Sequence, residues 1–314
     1  KLIKKPYALE NGSTLGIIAP AGPAYKQNCV ELGKATLEAL GFKVVVAPNA
    51  LNKNKYLAGS DLERAADLCR MFQDRSIDGI ICLRGGYGSM RILHKVDYRL
   101  IRRHPKALVG YSDITALQLA IWKRTGLVTF SGPMLTTDFG CNAGEFTLRH
   151  FLRAVQIPLP LGLIPPAPGV KTTVIYPGRA RGRLLGGNLS LVTATLGTPY
   201  EIDCRGSILF LEEVGEQPYR VDRMLCQLLL AGKLTAAAGI IFGECINCEA
   251  EDMQNSFTLL DVIRGYMEKH KIPSFYGLGA GHGPHKATLP LGVKAEMDAE
   301  KGLLTITEPA TIVY

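Results

Sequence analysis

Ser112 is the residue of this sequence whose surroundings best suit it to covalent chemistry. It lies between a short apolar run, residues 107–109, and a segment, residues 113–123, with apolar residues at helical spacing. Gly110 allows a tight reversal, so the hydroxyl is predicted on a sharp strand-to-helix turn, directed at the positive end of the helix. A nucleophile for acyl transfer needs this geometry. The alternative is that Ser112 or Asp113 only caps the helix, since both residue types are favoured there.

A carboxylate and a histidine in the second half of the chain are candidate partners for such a nucleophile. Glu212 follows a wholly apolar run, and a carboxylate at the buried end of a strand is costly unless it has a partner. His282 stands between glycines, which leave its imidazole uncrowded and able to serve as a general base. Simpler interpretations exist for both: Glu212 marks the exit of the strand into solvent, as we expect of Glu213, and His282 is a surface residue. His285 is a rival in the same loop.

A glycine-rich segment, Arg84-Gly-Gly-Tyr-Gly88, follows a predicted strand. Its glycines allow backbone N–H groups to approach a phosphate or a developing oxyanion closely. The dinucleotide-binding pattern is not met, because Arg91 stands where the third glycine belongs and the strand is the third of its sheet. A tight turn without a ligand is the alternative. The oxyanion role is favoured because Ser112 is predicted on the adjacent loop.

Strands and helices alternate through the first half of the chain. This alternation predicts parallel strands joined by right-handed crossovers and covered by helices on both faces. The predicted strands are 15–19, 43–46, 78–83, 106–109 and 128–130, and the predicted helices are 29–40, 62–74, 89–95, 114–124 and 144–155. In open parallel sheets ligands collect beyond the carboxyl ends of the strands, which is where the candidate loops lie.

The composition changes after this alternating half. Six of the 18 prolines fall between Pro158 and Pro177, which favours an extended linker. We therefore predict an α/β protein with an N-terminal domain over residues 1–157, a proline-rich linker over 158–178 and a mixed α/β C-terminal domain over 179–314. In the second domain the predicted strands are 207–211 and 238–242, the helices are 219–231 and 259–270, and shorter β segments lie near 294–297 and 303–307.

Length and composition exclude several classes of protein. The 314 residues are 47% hydrophobic and 20% charged, which is ordinary for a globular enzyme of two domains. No apolar run approaches the roughly 20 residues of a membrane span, and the first ten residues do not form a signal peptide. The eight cysteines are scattered, which favours reduced thiols in a cytoplasm. Cys245 and Cys248 lack two further ligands at compatible spacing, so neither a metal nor a cofactor is expected.

The net charge of +8 raises the question of a nucleic-acid partner. The basic residues are dispersed, are not interleaved with aromatic residues and belong to no nucleic-acid-binding motif. We therefore expect no nucleic acid and only a general attraction for acidic small molecules.

Five motifs along the chain carry a family resemblance. They are Arg84-Gly-Gly-Tyr-Gly88, Gly110-Tyr-Ser-Asp-Ile-Thr115, Gly182-Arg-Leu-Leu-Gly-Gly-Asn-Leu189, Leu209-Phe-Leu-Glu-Glu213 and Gly281-His-Gly283. In this order the sequence resembles the LD-carboxypeptidases, cytoplasmic serine peptidases that trim the tetrapeptide of recycled cell-wall fragments. The likeness extends from Gly16 to Ala295.

The resemblance implies a Ser–Glu–His triad that is divided between the two domains. The matching positions are Ser112 as nucleophile, His282 as general base and acid, Glu212 as the residue that orients His282, the backbone N–H groups of Gly86 and Asp113 as the oxyanion hole, and Asn188 and Arg183 as substrate contacts. A packing role is the alternative for Asn188 and Arg183. The resemblance also implies a homodimer and no metal.

The expected function is release of the terminal D-alanine from a murein tetrapeptide or related muropeptide. Two alternatives stay open: a related serine peptidase that hydrolyses peptide–nucleotide antibiotic conjugates for self-immunity, and a non-catalytic two-lobed solute-binding protein. Trp122, the sole tryptophan, lies in the helix after the nucleophile and is expected in the core instead of on a nucleobase. The sequence leaves open whether the third peptide residue is diaminopimelate or lysine, and whether the sugar is needed.

Overall fold

The computed structural model describes residues 2–314, which divide into two compact units. The first unit contains the residues up to Leu159 together with 288–290 and 309–314, and the second contains residues 160–287 and 291–308. Among the residues that the structure describes, none of the helices has the length and apolar character that a membrane span requires.

A parallel sheet forms the centre of the first unit. Its strands are β1 (Thr14–Ile18), β2 (Lys43–Val46), β3 (Gly79–Cys82), β4 (Ala107–Gly110) and β5 (Thr129–Ser131), and the helices are α1 (Gln27–Ala39), α2 (Asp61–Gln73), α3 (Ser89–Ile92), α4 (Tyr98–Arg103), α5 (Ile114–Thr125) and α6 (Glu145–Gln156). The strands lie in the order β2-β1-β3-β4-β5, and each neighbouring pair is parallel. The predicted alternation of parallel strands and helices is confirmed.

The central strands of this sheet are buried along their whole length. All residues of β3 and β4 are buried, as expected of parallel strands covered on both faces. The short helix α4 was not predicted from the sequence. Asp97 begins it by accepting hydrogen bonds from the backbone N–H groups of Arg99 and Leu100 at 2.9 and 3.0 Å.

A larger mixed sheet forms the centre of the second unit. Its strands are β6 (Gly162–Ile164), β7 (Thr173–Tyr176), β8 (Arg179–Asn188), β9 (Ile208–Val214), β10 (Gly239–Ile246), β11 (Ser274–Gly281), β13 (Lys294–Asp298) and β14 (Leu303–Ile306). The helices of this unit are α7 (Leu189–Ala194), α8 (Pro218–Leu230), α9 (Lys233–Ala236) and α10 (Leu259–Met267). Strand β12 (Leu289–Leu291) joins the first sheet beside β5. The order is β6-β14-β13-β8-β9-β10-β11-β7. Strands β8 to β11 are parallel and the outer pairs are antiparallel, which confirms a mixed α/β unit.

The proline-rich segment 158–178, expected as a linker, contributes two strands to this sheet. Strand β6 pairs with β14, and β7 pairs with β11 at the opposite edge. Both positions are sheet edges, where nearby prolines do not interrupt a central ladder. The segment therefore connects the two units and also closes both edges of the second sheet.

Two long strands of the second sheet, β8 and β11, are rich in glycine, and sequence reasoning did not identify them. Glycine is depleted in ordinary strands, but here it allows close approach of a neighbouring backbone. At Gly186 φ is +125°, and a β-carbon added there would lie 1.9 Å from the carbonyl oxygen of Phe210 on β9. The pairing of β8 with β9 thus depends on the absence of a side chain at this position.

Replacing Gly186 by alanine should therefore destabilise the second unit. We expect Gly186→Ala to lower the free energy of unfolding by roughly 3 kcal/mol, from backbone strain and overlap with Phe210. Gly265→Ala is the matched control, because that glycine lies in α10 with open space around it. The control should raise the free energy of unfolding by about 0.5–1 kcal/mol. Urea denaturation followed by circular dichroism measures both, and an equal effect of the two variants would contradict this account of β8.

Candidate active site

Ser112 lies on the strand-to-helix turn that the sequence predicts. Strand β4 ends at Gly110 and helix α5 begins at Ile114. Ser112 has φ +62°, a left-handed conformation that is uncommon for a residue with a side chain and that marks a sharp turn. The side chain of Asp113 makes no capping hydrogen bond, although the residue occupies the N-cap position of α5. The capping interpretation of Asp113 is therefore wrong for its side chain.

The buried carboxylate of Asp113 instead ties the turn to the start of α3. Its Oδ2 accepts a hydrogen bond from the backbone N–H of Ser89 at 2.8 Å, and its carbonyl oxygen accepts one from the Ser89 hydroxyl at 2.5 Å. Burial raises the pKa of the Asp113 carboxyl above its usual value, and the hydrogen bonds from Ser89 oppose that shift. These contacts fix the glycine-rich loop next to the turn that carries Ser112.

The glycine-rich loop passes directly beside Ser112. A β-carbon on Gly85 would lie 2.8 Å from Cβ and 2.9 Å from Oγ of Ser112, so only glycine fits there. Gly86 has φ +108°, a backbone conformation that other residues rarely adopt. Within residues 2–314, neither the N–H of Gly86 nor that of Asp113 donates to a backbone carbonyl. Among these residues, neither N–H group is therefore committed to a backbone hydrogen bond.

The buried guanidinium of Arg64 holds the other end of this loop. Its Nη1 donates hydrogen bonds to the carbonyl oxygen of Pro20 at 2.5 Å and to that of Gly88 at 2.8 Å. Arg64 is 2% exposed, so these contacts are shielded from water. The loops after β1 and β3 are therefore joined to one side chain on α2.

In the second unit, Glu212 and His282 are in contact. The Oε2 atom of Glu212 lies 2.6 Å from Nδ1 of His282. Glu212 occupies the last part of β9 and is 1% exposed, whereas His282 directly follows β11 and its side chain is 16% exposed. The interpretation of Glu212 as an exit into solvent is wrong, because the carboxylate is buried against an imidazole.

Two glycines make room for the Glu212 carboxylate. A β-carbon on Gly281, where φ is +96°, would lie 2.6 Å from both Cγ and Oε2 of Glu212. A β-carbon on Gly243 would lie 3.0 Å from Cβ of Glu212. The neighbouring strands β10 and β11 can approach the carboxylate this closely only because both positions lack side chains. The same approach brings the imidazole of the next residue, His282, to the acid.

Glu213 is also buried, so the expectation that it leaves the strand into solvent is wrong. It is 2% exposed, and its carboxylate accepts hydrogen bonds from Asn188 Nδ2 at 2.9 Å, Ser190 N at 2.8 Å, Ser190 Oγ at 2.7 Å and Val214 N at 2.9 Å. Burial nevertheless raises the pKa of this carboxyl. Successive side chains of a strand point to opposite faces, and both faces of a central strand are covered. The position of Glu213 in a central strand could therefore have predicted its burial.

Asn188 and Arg183 both make contacts inside the second unit. Asn188 caps α7 by accepting a hydrogen bond from Leu191 N, and it donates to Glu213. Arg183 donates to the carbonyl of Gly292 at 2.6 Å and pairs with Glu308 at 3.0 Å. Their predicted contact with substrate stays a prediction, and their observed contacts favour a structural contribution.

The pair Cys245 and Cys248 lies at the end of β10. Their thiol groups interact, which raises the pKa of Cys245 and lowers that of Cys248. In the part of the chain that the structure describes, no group of three or more histidine, cysteine or acidic side chains is arranged to hold a metal ion.

The predicted site residues thus form two groups, one in each unit. Ser112, Gly86 and Asp113 follow parallel strands of the first sheet, whereas in the second sheet Glu212 lies near the end of β9 and His282 follows β11. The first group offers a hydroxyl beside backbone N–H donors. The second offers an imidazole whose Nδ1 is held by a buried carboxylate, the arrangement that orients a general base.

The chain matches known proteins along most of its length. The sequence matches the LD-carboxypeptidase N-terminal domain over residues 15–132 and the LD-carboxypeptidase C-terminal domain over residues 181–297. It is 43% identical over 302 residues to the probable murein peptide carboxypeptidase of Bacillus subtilis (strain 168), covering 95% of this chain and 92% of that protein.

Two solved structures share the fold over almost the whole chain. The muramoyltetrapeptide carboxypeptidase from Oxalobacter formigenes has a TM-score of 0.83 at 30% identity, covering 95% of this chain and 100% of that one. The microcin C7 self-immunity protein MccF, solved in complex with glutamyl sulfamoyl guanosine, has a TM-score of 0.91 at 26% identity, covering 98% and 99%. The chain belongs to the LD-carboxypeptidase family.

Proposed function

We propose that this protein is a serine carboxypeptidase that releases the terminal D-alanine from murein tetrapeptides. The observation that carries the proposal is the 2.6 Å contact between the buried Glu212 carboxylate and Nδ1 of His282. The left-handed turn at Ser112, beside the glycine-rich loop, supports the assignment of the nucleophile. Convergence of Ser112 with His282 is part of the proposal.

The reaction follows from these roles. His282 removes the proton of Ser112 through Nε2 while Oγ attacks the carbonyl carbon that precedes the terminal D-alanine. The N–H groups of Gly86 and Asp113 donate to the resulting oxyanion, and each such donor is typically worth about 3 kcal/mol. His282 then gives its proton to the leaving amine, and water hydrolyses the acyl-enzyme with His282 again as base. Glu212 keeps the imidazole in the required tautomer and stabilises its protonated form.

The names of the relatives support the substrate class. The proteins of Bacillus subtilis and Oxalobacter formigenes are a probable murein peptide carboxypeptidase and a muramoyltetrapeptide carboxypeptidase. We place the activity in recycling of cell-wall peptides in the cytoplasm, by a homodimer. The eight cysteines are all free thiols in the structure, which suits a reducing compartment. A net charge of +8 agrees in sign with a substrate that bears free carboxylates.

Hydrolysis of a peptide–nucleotide conjugate is the second candidate function. The TM-score of 0.91 with MccF is the observation that favours it. Incubation with a defined murein tetrapeptide and, separately, with a peptidyl adenylate conjugate distinguishes the two by the mass of the product. Loss of one alanine from the tetrapeptide, with the conjugate unchanged, supports the carboxypeptidase. A non-catalytic solute-binding protein would leave both substrates unchanged and would not react with a serine-directed fluorophosphonate.

Replacing Ser112 by alanine tests the nucleophile. We expect Ser112→Ala to lower kcat by roughly 10³-fold or more, because the acyl-enzyme cannot form. The two side chains differ by one hydroxyl, so the thermal midpoint should be nearly unchanged. Release of D-alanine is followed with a coupled amino-acid oxidase assay. A correctly folded variant with unchanged turnover would eliminate the serine mechanism.

The adjacent acids Glu212 and Glu213 give a matched pair of variants. Glu212→Gln should lower kcat by about 10²-fold or more, because the amide no longer stabilises protonated His282. Glu213→Gln should retain kcat within about threefold but should lower the free energy of unfolding by about 1–3 kcal/mol, since its amide faces hydrogen-bond donors.

Steady-state kinetics and urea denaturation separate these two outcomes. The reverse ranking of kcat, with Glu213→Gln the slower enzyme, would assign the orienting acid to position 213. Equal losses of stability with unchanged kcat in both variants would remove the orienting role from either acid.

A further inference from the structure

Arg84 lies at the point of the first sheet where ligands of parallel α/β proteins commonly bind. Strands β1 and β3 are neighbours, and the chain leaves them toward opposite edges of the sheet, to β2 on one side and to β4 on the other. The crevice beyond the carboxyl ends of two such strands is the usual ligand site. Arg84 follows β3 directly. The loops that follow β1 and β3 meet here, because Gly22 N donates a hydrogen bond to Gly85 O at 3.1 Å.

The guanidinium of Arg84 has donors that the protein does not use. Its Nε and Nη1 are buried, and among residues 2–314 neither has a hydrogen-bond acceptor. Its contact is with an aromatic ring: Cζ lies 3.7 Å from the centre of the Tyr25 ring. A ring screens one face of the cation but accepts no hydrogen bond in the plane of the guanidinium. Buried donors of a charged group are costly without an acceptor, so an acceptor from a ligand is expected.

Arg84 belongs to the loop that borders the groups proposed to take part in the reaction. A β-carbon on Gly86 would lie 3.7 Å from Nη2 of Arg84, and one on Gly85 would lie 2.9 Å from Oγ of Ser112. The cation therefore lies beside the proposed oxyanion donor, Gly86, and the next residue of the same loop, Gly85, borders the proposed nucleophile. In a peptide that is cut at its last amide, the free carboxylate is one residue, about 3.8 Å, beyond the scissile bond. A guanidinium also offers a planar fork of donors that matches a carboxylate.

We propose that Arg84 binds the carboxylate of the C-terminal residue that is released, and that this contact restricts the enzyme to the last peptide bond. The inference rests on the proposed carboxypeptidase function and assigns a specificity residue to it. Tyr25 holds the guanidinium in place by stacking on its face. The family resemblance suggested Asn188 and Arg183 as substrate contacts, and it did not suggest Arg84.

A pair of substrates tests the proposal directly. One is a murein tetrapeptide with a free D-alanine carboxylate, and the other is the same peptide ending in D-alaninamide. The wild-type protein should cleave the acid with a kcat/KM roughly 10- to 100-fold above that for the amide. In Arg84→Met the acid should lose about that factor while the amide changes by less than about threefold, so the preference disappears. Arg84→Lys, which keeps the charge, should retain part of the preference.

Arg91→Met is the matched control. Arg91 is an arginine of the same region whose side chain is 44% exposed and pairs with Asp61 at 2.9 Å. Its replacement should leave the ratio of acid to amide unchanged. Equal loss on both substrates in Arg84→Met would assign Arg84 a structural role and overturn the inference. No preference in the wild-type protein would overturn it without any variant.

The proposed function and this inference fail in different ways. If the wild-type protein releases neither alanine from the acid nor alaninamide from the amide, the carboxypeptidase proposal is wrong. If it releases alanine from the acid and Arg84→Met keeps the same preference, only the assignment of Arg84 is wrong. Thermal denaturation of each variant verifies that it is folded before its kinetics are compared.

Discussion

The buried carboxylate of Glu212 is the group that the strands of the second sheet must accommodate. A carboxylate removed from water costs several kcal/mol unless a partner compensates it. His282 supplies a partner for one carboxylate oxygen, Oε2, at 2.6 Å, and it can do so only where the neighbouring strands leave space. The pairing of β10 with β11 loses its regular register on both sides of Gly243. Gly243 is the residue of β10 that lies against Glu212. The irregularity of the ladder therefore falls at the position where β10 lies against the buried acid.

The first unit meets a different requirement, which is to hold a strained backbone at Ser112. A left-handed φ at a residue with a side chain costs on the order of 1–3 kcal/mol and persists only when its surroundings enforce it. Two buried polar contacts do so: Asp113 joins the turn to Ser89, and Arg64 joins the loops after β1 and β3. The loops at this edge of the sheet are thus held by buried hydrogen bonds in the structure without substrate. Such preorganisation is what an oxyanion site requires, because its donors must not reorient during the reaction.

The sequence predicted the parts of the fold whose signals are local. Strands β1 to β5 were found within one or two residues, because each is a short apolar run bounded by turn residues. Strands β8 and β11 were missed, because their glycines serve contacts with other strands that no local pattern records. The contact of Glu212 with His282 joins positions 70 residues apart, so its geometry needed the folded sheet. Glu213 was misjudged for the same reason: the donors that stabilise its burial come from β8 and α7.

Two arginines near the same glycine-rich loop show how structural and ligand-binding cations can be told apart. Arg64 donates to Pro20, Gly88 and Asp61, and its removal would release two loops. Arg84 has buried donors as well, but within residues 2–314 its partner is the Tyr25 ring alone. A fold that needed only a stable turn after β3 would gain by replacing Arg84 with an apolar residue of similar length, which has no donors to satisfy. We explain the presence of an arginine there by the proposed acceptor that arrives with the substrate. In that proposal, the loop that carries the proposed oxyanion donor Gly86 also sets the distance from the scissile bond to the end of the peptide.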